Sequence, residues 1–206
     1  MVDQTRRRAE TKQETREALI AAALAEFAEH GLDAPSLDAI CARAGYTRGA
    51  FYVHFRDRAD LLVAVVEQAL VLFMDTVIAT GGEGHDLERT IDRFASAVAG
   101  SIRGGKATTQ LPLPAGVSFA RVLEGIMRDP RLKKGFTTLL AGGTARLAAV
   151  TKEGQDAAAI RGDVDATNAA SLLVLVALGI MVALDVGVEL DPPALRDTVL
   201  RLLARG

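Results

Sequence analysis

Two short helical segments joined by a glycine turn, within SLDAICARAGYTRGAFYVHFRDRADLL at residues 36–62, constrain this chain more than any other feature. Ser36 is placed to cap a helix Leu37–Ala44, because a serine hydroxyl accepts one of the backbone N–H groups that a helix start leaves unpaired. Asp38 falls in that helix's first turn, where the dipole favours an acid. Gly45 follows the last helical residue and can take the left-handed conformation that stops a helix. Thr47 is placed to cap a second helix, with Tyr46 and Phe51 at the hydrophobic-staple positions on either side of it. A helix, a glycine turn and a second short helix make a helix-turn-helix, whose second helix has the shape to lie in a DNA major groove.

The side chains suit that task. Arg48 lies on the first turn of the second helix, where a guanidinium can bind guanine O6 and N7 together, worth about 1–3 kcal/mol of discrimination. Gly49 and Ala50 are too small to hold the helix away from a base edge, and Ala50 can meet a thymine methyl. Tyr52 and His54 alternate with Phe51 and Phe55, so the phenylalanines are read as inward and the hydroxyl and imidazole as facing phosphates. Thr47, Ser36 and Arg58 complete an expected phosphate clamp, helped by the helix N-termini. Arg6, Arg7 and Arg8 form a basic arm suited either to a neighbouring minor groove or to a solvated tail. Asp38 has two readings, a helix-start stabiliser or an acceptor from cytosine N4.

The string from Ile40 to Leu62, I-C-A-R-A-G-Y-T-R-G-A-F-Y-V-H-F-R-D-R-A-D-L-L, resembles the DNA-binding signature of the tetracycline-repressor (TetR) family of bacterial regulators. That signature has small residues before an A-G-V-S turn, then G-x-x-Y-x-H-F and a basic residue before a leucine pair. This chain departs from it at Cys41, Tyr46, Thr47, Arg58 and Ala59, where Ala, Val, Ser, Lys and an acid are usual. The junctions M-R-D-P-R-L at 127–132 and I-R-G-D-V-D at 160–165 also look like those of the family's regulatory domains. The resemblance implies a DNA-binding domain on a larger helical domain that dimerises through its last two long helices. It implies backbone contacts at Tyr52 and His54, a small effector that re-spaces the two DNA heads, and repression more often than activation.

Charge tests that reading. The whole chain carries −2, whereas nucleic acid requires a local cationic face. The cations gather where they would count: Arg6, Arg7, Arg8, Lys12 and Arg16, then Arg43, Arg48, Arg56 and Arg58. Glu26, Glu29 and Asp33 fall toward the end of the first helix. Cys41 is the single cysteine, so no disulfide forms within the chain, and a reducing cytoplasm is expected. The N-terminus has the polar character of no signal peptide. Residues 166–184 hold no charge, yet acids at 163, 165, 185 and 189 flank them, and Asn168 and Ser171 interrupt them. Such a helix is expected between a protein core and a partner subunit rather than in a membrane.

The rest of the chain reads as all-α. Residues before Thr11 are expected to be disordered, and Thr11-Lys12-Gln13-Glu14 to open the first helix as a capping box, with Ile20, Leu24 and Phe27 on its apolar stripe. Asp57 caps a fourth helix to about residue 79, followed by helices at 85–103, 117–128, 130–151, 164–186 and 194–204, with a Gly/Pro-rich loop at 104–116. The expected division is a DNA-binding domain at 1–56 and an effector-binding and dimerisation domain at 57–206.

Within the second domain an apolar cavity between helices is the default ligand site, with Phe73, Met74, Val77, Phe94, Val98, Phe119, Leu123, Met127 and Phe136 as candidates. Arg93, Arg103 and Lys106 are candidates for meeting an anionic group. Leu172, Val176, Gly179, Ile180, Ala183, Leu195, Val199 and Leu202 form stripes suited to a four-helix dimer interface. His30, His54 and His85 are too scattered for a metal set, and no HExxH, GxSxG or P-loop spacing occurs, so neither an enzyme nor a metal or other cofactor is expected. The expectation is a homodimeric regulator of a double-stranded DNA operator, answering to an amphipathic or apolar effector. The alternative is a helical interaction module that has lost operator reading.

Overall fold

The computed structural model describes residues 2–30, 34–81, 84–102 and 118–205, apart from the side chains of 2–9, 28 and 121. Among these residues the chain forms nine α-helices and no strand. They divide into two compact units, one reaching to Ala69 and the other starting at Leu70. The expected boundary at 56/57 lies ahead of this division, because Leu61, Ala64 and Val65 are buried in the first unit's core.

The first unit contains α1 (Val2–His30), α2 (Leu37–Ala44), α3 (Arg48–His54) and the start of α4 (Arg58–Val77). Ile20 and Phe27 of α1 pack with Ile40 of α2, Phe51 of α3 and Leu61 of α4 into a small core. The expected disorder before Thr11 is not found: α1 runs from Val2, and Thr15 Oγ1 donates to Thr11 O at 2.9 Å inside the helix. No Gly or Pro interrupts residues 2–11, and their Arg, Glu and Ala are good helix formers, so the helix continues past the capping box.

Oxygen side chains start the helices as their sequence positions require. Ser36 Oγ accepts from Ala39 N at 3.1 Å, Thr47 Oγ1 from Ala50 N at 3.2 Å and Asp57 Oδ1 from Asp60 N at 2.7 Å. Gly45 closes α2 at φ +74°, a region where a Cβ clashes with the backbone.

The second unit contains α5 (Asp86–Ile102), α6 (Phe119–Arg128), α7 (Pro130–Asp156), α8 (Ala166–Asp185) and α9 (Pro192–Leu203). Helix α7 packs along α8, α9 lies on α5, and α6 touches both α7 and α8. Asp129, Asp165 and Asp191 cap α7, α8 and α9. Helix α7 extends beyond Thr151 to Asp156, since nothing before Ala157 stops it. Gln155 then donates to the carbonyls of Arg161 and Val164 at 3.1 and 2.7 Å, which satisfies the turn into α8. The Gly/Pro-rich loop falls outside the described residues.

Two glycines give opposite expectations. Gly84 has φ +91°, and a Cβ there would come within 2.4 Å of Ala157 Cβ. Gly84→Ala should cost about 2–4 kcal/mol through backbone strain and overpacking. Gly142 lies within α7 with nothing near its missing Cβ, so Gly142→Ala should stabilise by up to about 1 kcal/mol. Thermal unfolding of the two variants should move in opposite directions. Equal melting temperatures would contradict the close packing at Gly84.

Candidate functional site

The recognition-helix face follows from which side of α3 the core takes. Phe51 and Phe55 are buried, which leaves positions 48, 49, 52 and 53 on the opposite side of a 3.6-residue helix. Arg48 and Gly49 are exposed, and Tyr52 and Val53 are 58% and 64% accessible. Tyr52 sits edge-on to Phe51 with ring centroids 5.3 Å apart, which steadies the phenol from behind. A Cβ on Gly49 would meet only Thr47 Oγ1, at an ordinary 3.6 Å. The fold itself therefore does not demand glycine there. Ser36 and Thr47 are exposed beside this face, and Ala50 is half-buried at its edge.

His54 does not share the face with Tyr52. Two residues along a helix turn about 200°, so strand-like alternation was the wrong period for this segment. His54 is half-buried instead, and burial, then Lys12 and Arg16, lower its pKa. It is therefore largely neutral at pH 7 and offers a phosphate one N–H rather than a charge. Val53 was missed by the sequence reading. The same helical count from Phe51 would have found it.

The cations are less uniform than their number suggests. Arg43 donates to Glu26 Oε1 at 3.1 Å and to both Glu29 oxygens at 2.9 and 2.5 Å, so its charge is answered within the first unit. The pair holds the Glu29 carboxyl below its usual range, chiefly through the hydrogen bond from Arg43. Arg56 reaches Asp60 at 3.4 Å. The Arg58 guanidinium lies over the Phe27 ring at 5.6 Å, and that of Arg16 over Phe55 at 5.3 Å. Arg48 Nε lies 2.5 Å from Asp38 Oδ1. The side chains of Arg6, Arg7 and Arg8, on the first turns of α1, fall outside the described residues. Cys41 is buried, and desolvation raises its thiol pKa, so it stays protonated and inert.

The second unit encloses a cavity of about 150 Å³ between α4, α5, α7, α8 and α9. Phe73, Met74, Val77, Phe94 and Val98 line it, and Phe73 meets Phe94 edge-on at 6.3 Å. Phe119, Leu123 and Met127 of α6 and Phe136 of α7 do not line it, because α6 packs on α7 and α8 instead. Gly143 lines the wall where a Cβ would lie 1.6 Å from Met74 Cε, so its missing side chain makes room for the methionine.

The one charged lining residue among those described is Arg196, and it is fully engaged: with Asp92 at 2.6 Å, Asp197 at 2.8 Å and Glu88 at 3.6 Å. Arg93 donates to Thr76 O at 3.1 Å and is not in the lining, while Arg103 and Lys106 fall outside the described residues. Val176, Ile180, Leu195 and Val199, expected at a dimer contact, also line this cavity. Leu172, Gly179 and Leu202 are exposed, as is Leu175, which the sequence reading passed over; Ala183 is half-buried. By length and composition α8 is able to cross a membrane, and only Ala169, Ala170 and Met181 of it are buried.

The model of bacterial regulatory proteins of the tetR family matches residues 19–65. The chain is 43% identical over 56 residues to the HTH-type transcriptional repressor BepR of Brucella suis, a match covering 27% of each protein. It is 44% identical over 55 residues to the HTH-type transcriptional regulator AcrR of Shigella flexneri, covering 27% of this chain and 26% of that one. The matched stretch thus spans about a quarter of these relatives' length. The fold of reduced NemR from E. coli is similar over 93% of this chain and 97% of that one, with a TM-score of 0.69 at 17% identity. That of SmeT, a repressor from Stenotrophomonas maltophilia solved with triclosan, has a TM-score of 0.62 at 24% identity, covering 93% of this chain and 92% of SmeT. Residues 19–65, with their helix-turn-helix, are thus similar to the DNA-binding segment of tetR-family bacterial regulatory proteins, and the fold as a whole is that of NemR and SmeT.

Proposed function

We propose that this protein represses transcription as a homodimer bound to a pseudo-palindromic duplex operator and is released by a small, uncharged, apolar or amphipathic effector. The observation that carries the reading is the solvent-facing stripe Arg48, Gly49, Tyr52 and Val53, set on a capped helix beside Ser36 and Thr47. Lys12 and Arg16 supply further positive charge toward phosphates. Repression is the activity named for BepR and SmeT.

Charge bookkeeping narrows the effector. Arg196 is answered by three carboxylates, so among the described lining residues an anionic ligand would find no uncommitted cation to offset its desolvation. A FadR from Bacillus subtilis was solved with stearoyl-CoA, and SmeT with triclosan. The apolar wall here fits a compact phenolic ligand like the second better than a polyanionic thioester.

For the operator, footprinting upstream of this protein's own gene comes first, followed by anisotropy titrations across salt and single-base variants. Arg48→Ala should relax preference at one position per half-site by about 1–3 kcal/mol. Lys12→Ala should weaken all sequences alike and reduce the salt slope by about one. Arg43→Ala should leave the slope unchanged. Identical base preferences for wild type and Arg48→Ala would remove that arginine from the reading role.

For the dimer, the outward Leu172 and Leu175 are sharper probes than Ile180, which also lines the cavity. Leu175→Glu should place an unpaired charge in the contact and yield monomers by light scattering. Half-sites in the operator should lie one turn, about 34–36 Å, or a multiple apart. Wild-type monomers at micromolar concentration would end the assignment of α8 and α9 to an interface.

For the effector, Gly143→Ala should press Met74 into the cavity, and Met74→Trp should fill it. Both should keep operator binding but lose the melting-temperature rise that triclosan or a similar neutral phenol gives. Should such a ligand stabilise the wild type and both variants equally, it binds elsewhere.

A further inference from the structure

We propose that Asp38 is a positioning residue for base reading: its carboxylate pairs with Arg48 at Nε and so restrains the guanidinium, whose two terminal amino groups serve as the guanine-reading edge. This rests on the proposed role of α3 in DNA binding and adds a residue on the other helix of the motif.

The geometry is set by the turn. Asp38 is the second residue of α2 and Arg48 the first of α3, and each start is fixed by its cap, Ser36 or Thr47. The left-handed Gly45 between them brings the two starts together, and the ten-residue separation closes to 2.5 Å between Arg48 Nε and Asp38 Oδ1. Both side chains face solvent, at 57% and 68% accessibility, and Arg48 shares its helix face with the exposed Gly49, Tyr52 and Val53.

Arg43 provides the contrast within the same motif. Its contacts with Glu26 and Glu29 are made through Nη1 and Nη2, the edge that would otherwise meet a base. Arg48 is engaged through Nε, and among the described residues Asp38 is its one ion-pair partner. With the approach made at Nε, the proposed role for Nη1 and Nη2 is to donate to guanine O6 and N7.

Charge gives the pairing a second reason. The first turn of α3 holds no acid, and a cation there meets the positive end of the helix dipole. Asp38 supplies the missing negative charge from the neighbouring helix. Paired, the acid also ceases to repel phosphates, which accounts for a carboxylate on a surface meant for DNA. An exposed ion pair contributes little to stability. Its effect on fixing one arginine orientation is larger in the desolvated contact with a base, where an immobilised long side chain saves conformational entropy.

The test uses the full-length protein, its operator and every single-base variant of one half-site. Asp38→Asn keeps the shape and removes the charge. It should reduce the preference for guanine at the Arg48 position by about fivefold or more, while binding to the other variants holds or tightens. In an Arg48→Ala background the same change should leave base preference untouched. A purely structural role would lower the melting temperature in both backgrounds with no change in preference. An unaltered preference in Asp38→Asn overturns the proposal, and an equal loss in both backgrounds shows that Asp38 reads a base directly. If the wild type itself has no base preference, DNA reading by α3 falls, and the positioning role with it.

Discussion

The first backbone N–H groups of every α-helix have no partner within that helix, and this chain is helical almost wherever it is described. Its architecture therefore depends on what accepts those groups. Ser36, Thr47, Asp57, Asp129, Asp165 and Asp191 each do so with a side-chain oxygen. Each cap contributes about 1 kcal/mol, less than the burial of one large core side chain, yet it decides where a helix begins. Once the start is fixed, the 3.6-residue period decides which residues face the core. In α3 a shift of one residue would bring Tyr52 inward in place of Phe51 and dismantle the exposed stripe. The caps matter less for stability than for register.

Charge in this molecule is settled locally. Arg43 with Glu26 and Glu29, Arg161 with Asp163, and Arg196 with Asp92 and Asp197 each join a guanidinium to acids close by. The Arg161 hydrogen bond draws the Asp163 carboxyl down to about 2. A net charge of −2 is thus a poor guide to the field at α3. Arginines answered by acids weigh less in that count, whereas Lys12 and Arg16 lie close enough to His54 to lower its pKa, and Arg16 stacks over Phe55. An acidic protein can present a cationic face in this way, and the salt sensitivity of its binding would report that face rather than the pI.

Caps and turns were legible in the sequence because they rest on contacts between residues three or four apart. Ser36, Gly45 and Thr47 marked both ends of α2 and the start of α3. Asp129-Pro130 and Asp191-Pro192 marked the openings of α7 and α9, although α9 starts at Pro192 rather than Ala194. Helix α8 starts at Ala166, two residues after the expected 164, because Asp165 caps it. The start of α1 was not legible in the same way. A capping box resembles any Thr-x-x-Glu, and only the continuing helix formers ahead of it overrule it. His54 was misplaced by applying a two-residue period to a seven-residue helix. The cavity was half legible: α4 and α5 contribute the expected Phe73, Met74, Phe94 and Val98, whereas α9 replaces α6 as a wall. That substitution depends on α9 lying on α5 through Arg196 and Asp92, a contact across 104 residues that no local pattern signals.

Helices α8 and α9 meet two demands at once. Val174, Ala177 and Val199 face the cavity, while Leu172, Leu175 and Leu202 stand exposed. Val176 and Leu195 belong to both sets, lining the cavity while 40% and 38% accessible. In the proposed dimer, a ligand that repacks these two residues changes the cavity and the subunit contact in one step. The energetic requirement favours such sharing. Moving a two-state protein from 1:99 to 99:1 takes about 5.5 kcal/mol of differential affinity, which equals roughly seven methylenes buried in one state and not in the other at about 0.8 kcal/mol each. A ligand confined to a cavity of 150 Å³ would have to place most of its own surface in that difference. Repacking Val176 and Leu195 against a partner adds protein surface to the account, so a small effector need supply only part of the free energy that separates the two states.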